Sequence, residues 1–197
     1  MPANISKTAT TSSGASVTYT APTAKDSVDG SANVNCSPAS GSTFPLGKSS
    51  VNCEAIDAAK NKASASFEVN VTYSWSGLLQ PINEGSTLNN QTDDTSAFKL
   101  GSTVPVKFKL TGDRATINNA TAKIVVTKLD GTPDGTEVEA TSTNAPDSGS
   151  AFRYDPSGAQ YIFSWGTKGL STGDYLINID LGDGTTATNT VKVALKK

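Results

Sequence analysis

Few side chains in this chain are suited to chemistry. Its two cysteines, Cys36 and Cys53, lie in Val34-Asn35-Cys36 and Val51-Asn52-Cys53-Glu54-Ala55, and the chain has no histidine. In extended backbone Val34 and Cys36 share one face, as do Val51, Cys53 and Ala55, so both sulfurs point with apolar neighbours toward a core. This suits a cross-link rather than a metal cage, because there is no histidine to complete a zinc set. A disulfide closing a loop of this size is worth ~3 kcal/mol by loop entropy. The alternative is a pair of buried free thiols in a reducing compartment.

Carboxylates are the next resource. Asp130-Gly131-Thr132-Pro133-Asp134-Gly135 puts two carboxylates and several carbonyls in one short loop, a candidate calcium site through Asp130 and Asp134. Asp26, Asp29 and Asp57 form a second candidate set. Neither follows a defined calcium loop, and ordinary Asp-Gly turns account for the first equally well. No cofactor other than calcium is suggested. For acid–base catalysis Asp93-Asp94 would point to opposite faces if extended, and Glu137 and Glu139 fit a solvated strand face. With no histidine-based pair, no thiolate and no strand-elbow-helix context for a serine, the chain reads as a non-enzyme.

Aromatic side chains offer a third chemistry. Trp75 and Trp165, with Tyr154, Tyr161 and Tyr175, are candidates for a platform that stacks sugar rings. Against this, Tyr161, Phe163 and Trp165 share one parity, which favours burial in a core, and aromatic content is only 7%.

The elements that must position these residues are strands. Period-two rows run through Ala65, Phe67, Val69, Val71 and Tyr73, then Val104, Val106, Phe108 and Leu110, then Ala122, Ile124 and Val126. Further rows are Tyr161, Phe163 and Trp165; Tyr175, Ile177, Ile179 and Leu181; and Val191, Val193 and Leu195. No stretch carries a helical period. Ser157-Gly158, Thr172-Gly173 and Gly182-Asp183-Gly184 supply turn chemistry, and the last predicts a tight hairpin between the final two strands. The stretch from Glu84 to Ala97 is the longest polar, turn-rich segment.

A chain of 197 residues accommodates two modest sandwiches. The expected fold class is all-β, two tandem immunoglobulin-like β-sandwiches over residues 1–73 and 74–197. No glycine- or proline-rich linker separates Thr72-Tyr73 from Trp75, which predicts a stiff junction and an elongated molecule. A formal net charge of −2 with only 17% charged residues gives no footprint for nucleic acid or an anionic membrane surface. No apolar run approaches the ~20 residues that span a bilayer, so no membrane insertion is expected. Abundant threonine and serine, with a disulfide, point to an extracellular or cell-surface location.

Two resemblances sharpen these expectations. Val34-Asn35-Cys36-Ser37-Pro38-Ala39-Ser40-Gly41-Ser42-Thr43-Phe44-Pro45-Leu46-Gly47, then Val51-Asn52-Cys53-Glu54-Ala55-Ile56-Asp57 and the strand through Phe67, Val69 and Val71, resemble the hyalin repeat (HYR) family. That family implies immunoglobulin-type sandwiches serving as extracellular or adhesive modules. Many members carry a further cysteine where this chain has Ala65, so the resemblance favours the simple Cys36 to Cys53 pairing. Ser74-Trp75-Ser76-Gly77-Leu78-Leu79-Gln80-Pro81, Pro105-Val106-Lys107-Phe108 and Gln160-Tyr161-Ile162-Phe163-Ser164-Trp165-Gly166-Thr167 resemble the PxKF family. It implies a non-enzymatic β-sandwich of exported prokaryotic proteins.

The resulting expectation is a structural or adhesive module, a rigid stalk or interaction segment of a larger surface or secreted protein, whose sandwich the disulfide keeps closed. Its partner would be a protein or a cell-surface glycan, with self-association through edge strands a further route. The rival is an ancillary carbohydrate-binding module of a polysaccharide-active protein, and a hydrolase is the weakest reading.

Overall fold

The computed structural model describes residues 1–27, 30–82, 96–112, 117–130, 135–144, 149–185 and 190–197. It is all-β: no helix occurs among the described residues. The chain divides into two compact units, Met1–Thr72 and Tyr73–Lys197.

In the first unit the strands are β1 (Ile5–Thr8), β2 (Ala15–Ser16), β3 (Ala24–Asp26), β4 (Gly30–Ser37), β5 (Thr43–Phe44), β6 (Gly47–Ile56) and β7 (Lys62–Thr72). Five of them form a sheet in the order β1-β7-β6-β4-β3, and β2 pairs with β5 as a second, much smaller layer. Ala15, Val17 and Phe44 from the small layer, with Val51, Phe67, Val69 and Val71 from the large one, make the core. The Tyr19 ring meets Phe67 edge-on at 5.0 Å.

Gly14 is what lets the small layer close. Its φ is +123°, and a Cβ there would stand 1.9 Å from the Phe44 carbonyl oxygen, so no side chain fits. Coverage is partial. The core row begins at Phe67 rather than at the expected Ala65, which is exposed together with Lys62, Ala63, Ser64 and Ser66.

The second unit contains β8 (Ser74–Leu78), β9 (Ser96–Lys99), β10 (Thr103–Thr111), β11 (Lys123–Leu129), β12 (Thr136–Val138), β13 (Arg153–Asp155), β14 (Gln160–Gly166), β15 (Gly173–Asp180) and β16 (Thr190–Lys196). They form a four-stranded sheet, β13-β14-β10-β8, and a five-stranded sheet, β12-β11-β15-β16-β9. Trp165 of the first sheet meets Tyr175 of the second at 5.8 Å, in a core completed by Val104, Val106, Phe108, Ile124, Ile177 and Val193.

Local chemistry explains several of these choices. Pro105 cannot donate to a ladder, and it lies where β10 pairs with β14 but not yet with β8, which joins only from Phe108. The Tyr175 hydroxyl donates to the Ser171 carbonyl at 2.8 Å, the tyrosine corner seen in immunoglobulin-like sandwiches. One arrangement recurs in the larger sheets of the two units. In each, a short edge strand (β1, β9) runs parallel to the last strand of its unit (β7, β16), with the remaining strands antiparallel.

The tight hairpin expected at Gly182-Asp183-Gly184 is not formed. β15 ends at Asp180 and β16 starts at Thr190, so the connection is longer than a two-residue turn. Asp183 instead serves as an internal acceptor. It is 1% exposed, and its Oδ2 accepts the Tyr73 backbone N–H at 2.8 Å. Its Oδ1 accepts the Thr185 N–H at 3.0 Å and the Thr185 hydroxyl.

Candidate functional site

The disulfide is the best-defined chemical feature. Cys36 and Cys53 are bonded, with Cα atoms 4.0 Å apart, and there is no free cysteine. They are directly opposed across β4 and β6. This corrects one expectation: the bond ties neighbouring strands within one sheet, so it does not clamp the two layers together. The layers are held by the packing of Phe44, Val51 and Val69. Because the small layer is only two short strands, in-sheet cross-linking stabilises a unit with little core.

The candidate calcium residues do not form a described site. Asp134 lies outside the described residues, as do Asp29, Asp93 and Asp94. The Asp130 carboxylate accepts the Thr136 hydroxyl. Asp57 is committed to the β6–β7 hairpin, where its two oxygens accept the Asn61 N–H and Nδ2, each at 2.7 Å. Among the described residues no group of three or more acidic or cysteine side chains is placed to hold a metal.

The aromatic platform is overturned at its centre. Trp165 is 0% exposed, and Tyr161 and Tyr175 are each 1% exposed, so none of these rings can stack a sugar. Their burial follows from the parity of β14 and β15, whose Tyr161, Phe163, Trp165, Tyr175 and Ile177 all face inward. Burial and hydrogen bonding shape Tyr161 further. Its hydroxyl donates to the Ile117 carbonyl and accepts the Ala120 N–H, both at 2.9 Å, and burial raises its pKa. Trp75 is half-buried and sits edge-on to Phe108 at 6.3 Å, at the margin of the core.

Two residues that matter were not singled out as functional. Asp183 stood in a Gly-Asp-Gly string that reads as a turn, and nothing local marks it as a buried acceptor. Tyr73 appeared only as the end of an apolar row. Its phenol is buried, with a pKa pushed up to about 12 by that burial and by the neighbouring Tyr161 and Asp183.

What the fold defines is therefore an immunoglobulin-like, all-β pair of units whose first member carries a disulfide within its sheet. The family model described as the HYR domain matches residues 1–71, all but the last residue of the first unit. HYR is a non-enzymatic, adhesion-type domain of extracellular or cell-surface proteins. No curated protein matches the chain. Among the described residues no helix is long and apolar enough to cross a membrane.

Proposed function

We propose that this chain is a non-enzymatic extracellular module, a stalk or contact segment of a larger surface or secreted protein. The observation that carries this reading is the HYR match over a compact unit that holds the Cys36–Cys53 disulfide. A disulfide persists in oxidising surroundings, in keeping with an exported location. The second unit is read as a PxKF-like sandwich from Pro105-Val106-Lys107-Phe108 and the strand through Trp165. The position of Pro105 on β10, where among the described residues β14 pairs with it and β8 does not, supports that reading.

Contact would be made through sheet faces, strand edges and loops rather than through a catalytic cleft. The test is to couple the intact chain to beads and measure bead–bead and bead–cell adhesion under flow. Adhesion to either surface above that of beads bearing an unrelated immunoglobulin-like protein is expected. Adhesion equal to that control on both surfaces would remove the adhesive part of the reading.

A further inference from the structure

The disulfide of the first unit lies where its core gives out. Val51, Phe67, Val69 and Val71 are buried, but the inner face of the large sheet continues past them. Cys36, Cys53 and Ala65 form the next row across β4, β6 and β7, and Val34, Ala55 and Ala63 form the row after it. Ala63 and Ala65 are exposed, Val34 and Cys36 are half-buried, and β4 has no fully buried residue along its length. The alternation that points these side chains inward is intact, so what is missing there is cover rather than pattern.

A cavity of about 190 Å³ occupies this end of the face. Val34, Cys53, Ala55 and Ala65 line it together with Met1 and Pro22, and none of its lining side chains is charged. A space of ~150 Å³ holds a molecule the size of benzene, so this one admits a small thiol. Glu54, next to Cys53 in sequence, belongs to the opposite face and pairs there with Lys62 at 2.9 Å.

Thiol–disulfide exchange requires a thiolate to reach one of the two sulfurs, so access governs its rate. A bond buried between two layers is reached only after the layers part. The Cys36–Cys53 bond instead joins neighbouring strands of one sheet, with core on one side of its row and the alanine-floored cavity on the other. Cys36 is the more exposed of the pair.

We propose that Cys36–Cys53 is a thiol-exchange site that works in the folded first unit, reached through the cavity beside Ala55, with a small dithiol as its reaction partner. One thiolate of the dithiol attacks a sulfur, forming a mixed disulfide and releasing the other cysteine as a thiolate. The second thiol then displaces the remaining protein sulfur. Two electrons and two protons pass to the cysteine pair, and the dithiol is oxidised to a disulfide. The stability of the first unit thereby answers to the redox state of the surroundings, while the second unit, which has no cysteine, does not respond. This holds whatever the module contacts.

The test is the rate at which dithiothreitol reduces the intact chain, followed by quenching with iodoacetamide and counting the alkylated cysteines by mass. In native buffer the rate should rise in proportion to dithiothreitol and stay unchanged in urea kept below the unfolding transition. Ala55→Leu, which fills the cavity, should slow the reaction about tenfold by restricting access. Ala63→Leu, which lines the same cavity, serves if the Ala55 change lowers the melting temperature. Ser64→Leu, on the opposite face of β7, should leave the rate unchanged.

A rate that climbs steeply with urea overturns the proposal, because it shows that the unit must unfold before the bond is reached. So does a rate that levels off at high dithiothreitol, which would mark opening of the unit as the limiting step. Equal slowing by Ser64→Leu, or no slowing by either cavity-filling change, would remove the cavity as the route.

Discussion

Cys36 and Cys53 are cross-strand partners on β4 and β6, directly opposite one another, and their bond closes a loop with a sequence separation of 17. A loop of that length restricts the unfolded chain by ~3 kcal/mol in the entropy model. Reduction, or Cys36→Ala with Cys53→Ala, should lower the stability of the first unit by about that amount. The second unit contains neither sulfur and should be unaffected. Differential scanning calorimetry of the intact chain should show one transition moving down while the other stays in place. A shift of both transitions by similar amounts would contradict this assignment.

Asp183 carries a second prediction. Its carboxylate accepts from the Tyr73 N–H, the Thr185 N–H and the Thr185 hydroxyl. An asparagine there keeps one acceptor oxygen and turns the other position into a donor that faces a donor. Asp183→Asn should therefore cost about 1–3 kcal/mol, and Asp183→Ala no less, in urea unfolding of the second unit. A change within a few tenths of a kcal/mol would show that these bonds are dispensable.

The Tyr73 phenol makes stability fall at alkaline pH. Its pKa is about 10 when exposed and about 12 in the folded protein, raised first by burial. The folded state thus holds this proton more tightly than the unfolded one. The contribution is fully present below pH 10 and is lost as pH rises toward 12. Tyr161 shifts in the same direction and adds to the effect. Tyr73→Phe should flatten the alkaline limb of a stability–pH profile, and tyrosinate absorbance should show a late-titrating phenol that this substitution removes.

Collisional quenching should separate the two tryptophans. Trp165 is wholly inside the second core, whereas Trp75 is half-buried at its margin. In Trp75→Phe the remaining emission should be blue-shifted and nearly insensitive to iodide. Efficient quenching of that variant would place Trp165 at the surface and restore it as a stacking group.

Parity carried most of what could be read from the chain. Val104 through Leu110, Tyr161 through Trp165 and Tyr175 through Leu181 alternate cleanly, and their inward residues are the buried ones, because a strand with one face against a core repeats every second residue. The edge strands left no such signal. Ile5-Ser6-Lys7-Thr8 and Ser96-Ala97-Phe98-Lys99 are too short to show a period, and their parallel partners lie at the far end of each unit. β2 and β5, two residues each, are defined by the residues they cover rather than by their own composition.

The sites were less legible for the same reason. Same-face placement of Cys36 and Cys53 was visible, but which strands they would join depends on sheet order. The row of Arg153, Ile162 and Lys107 was hidden because these residues are far apart in sequence and are aligned only by strand pairing. Asp183 reaches a backbone N–H 110 residues away, a pairing that no local pattern encodes.

The parallel pairing of β1 with β7 bears on how the first unit responds to tension. Ile5–Thr8 lie beside Val69–Thr72 and run in the same direction. A pull applied before Ile5 and after Thr72 slides these strands along one another, so their hydrogen bonds share the load instead of peeling apart in turn. Once they give way, the Cys36–Cys53 bond keeps the residues between the two sulfurs from extending. The unit is thus built to yield late and then to lengthen less than its residue count allows.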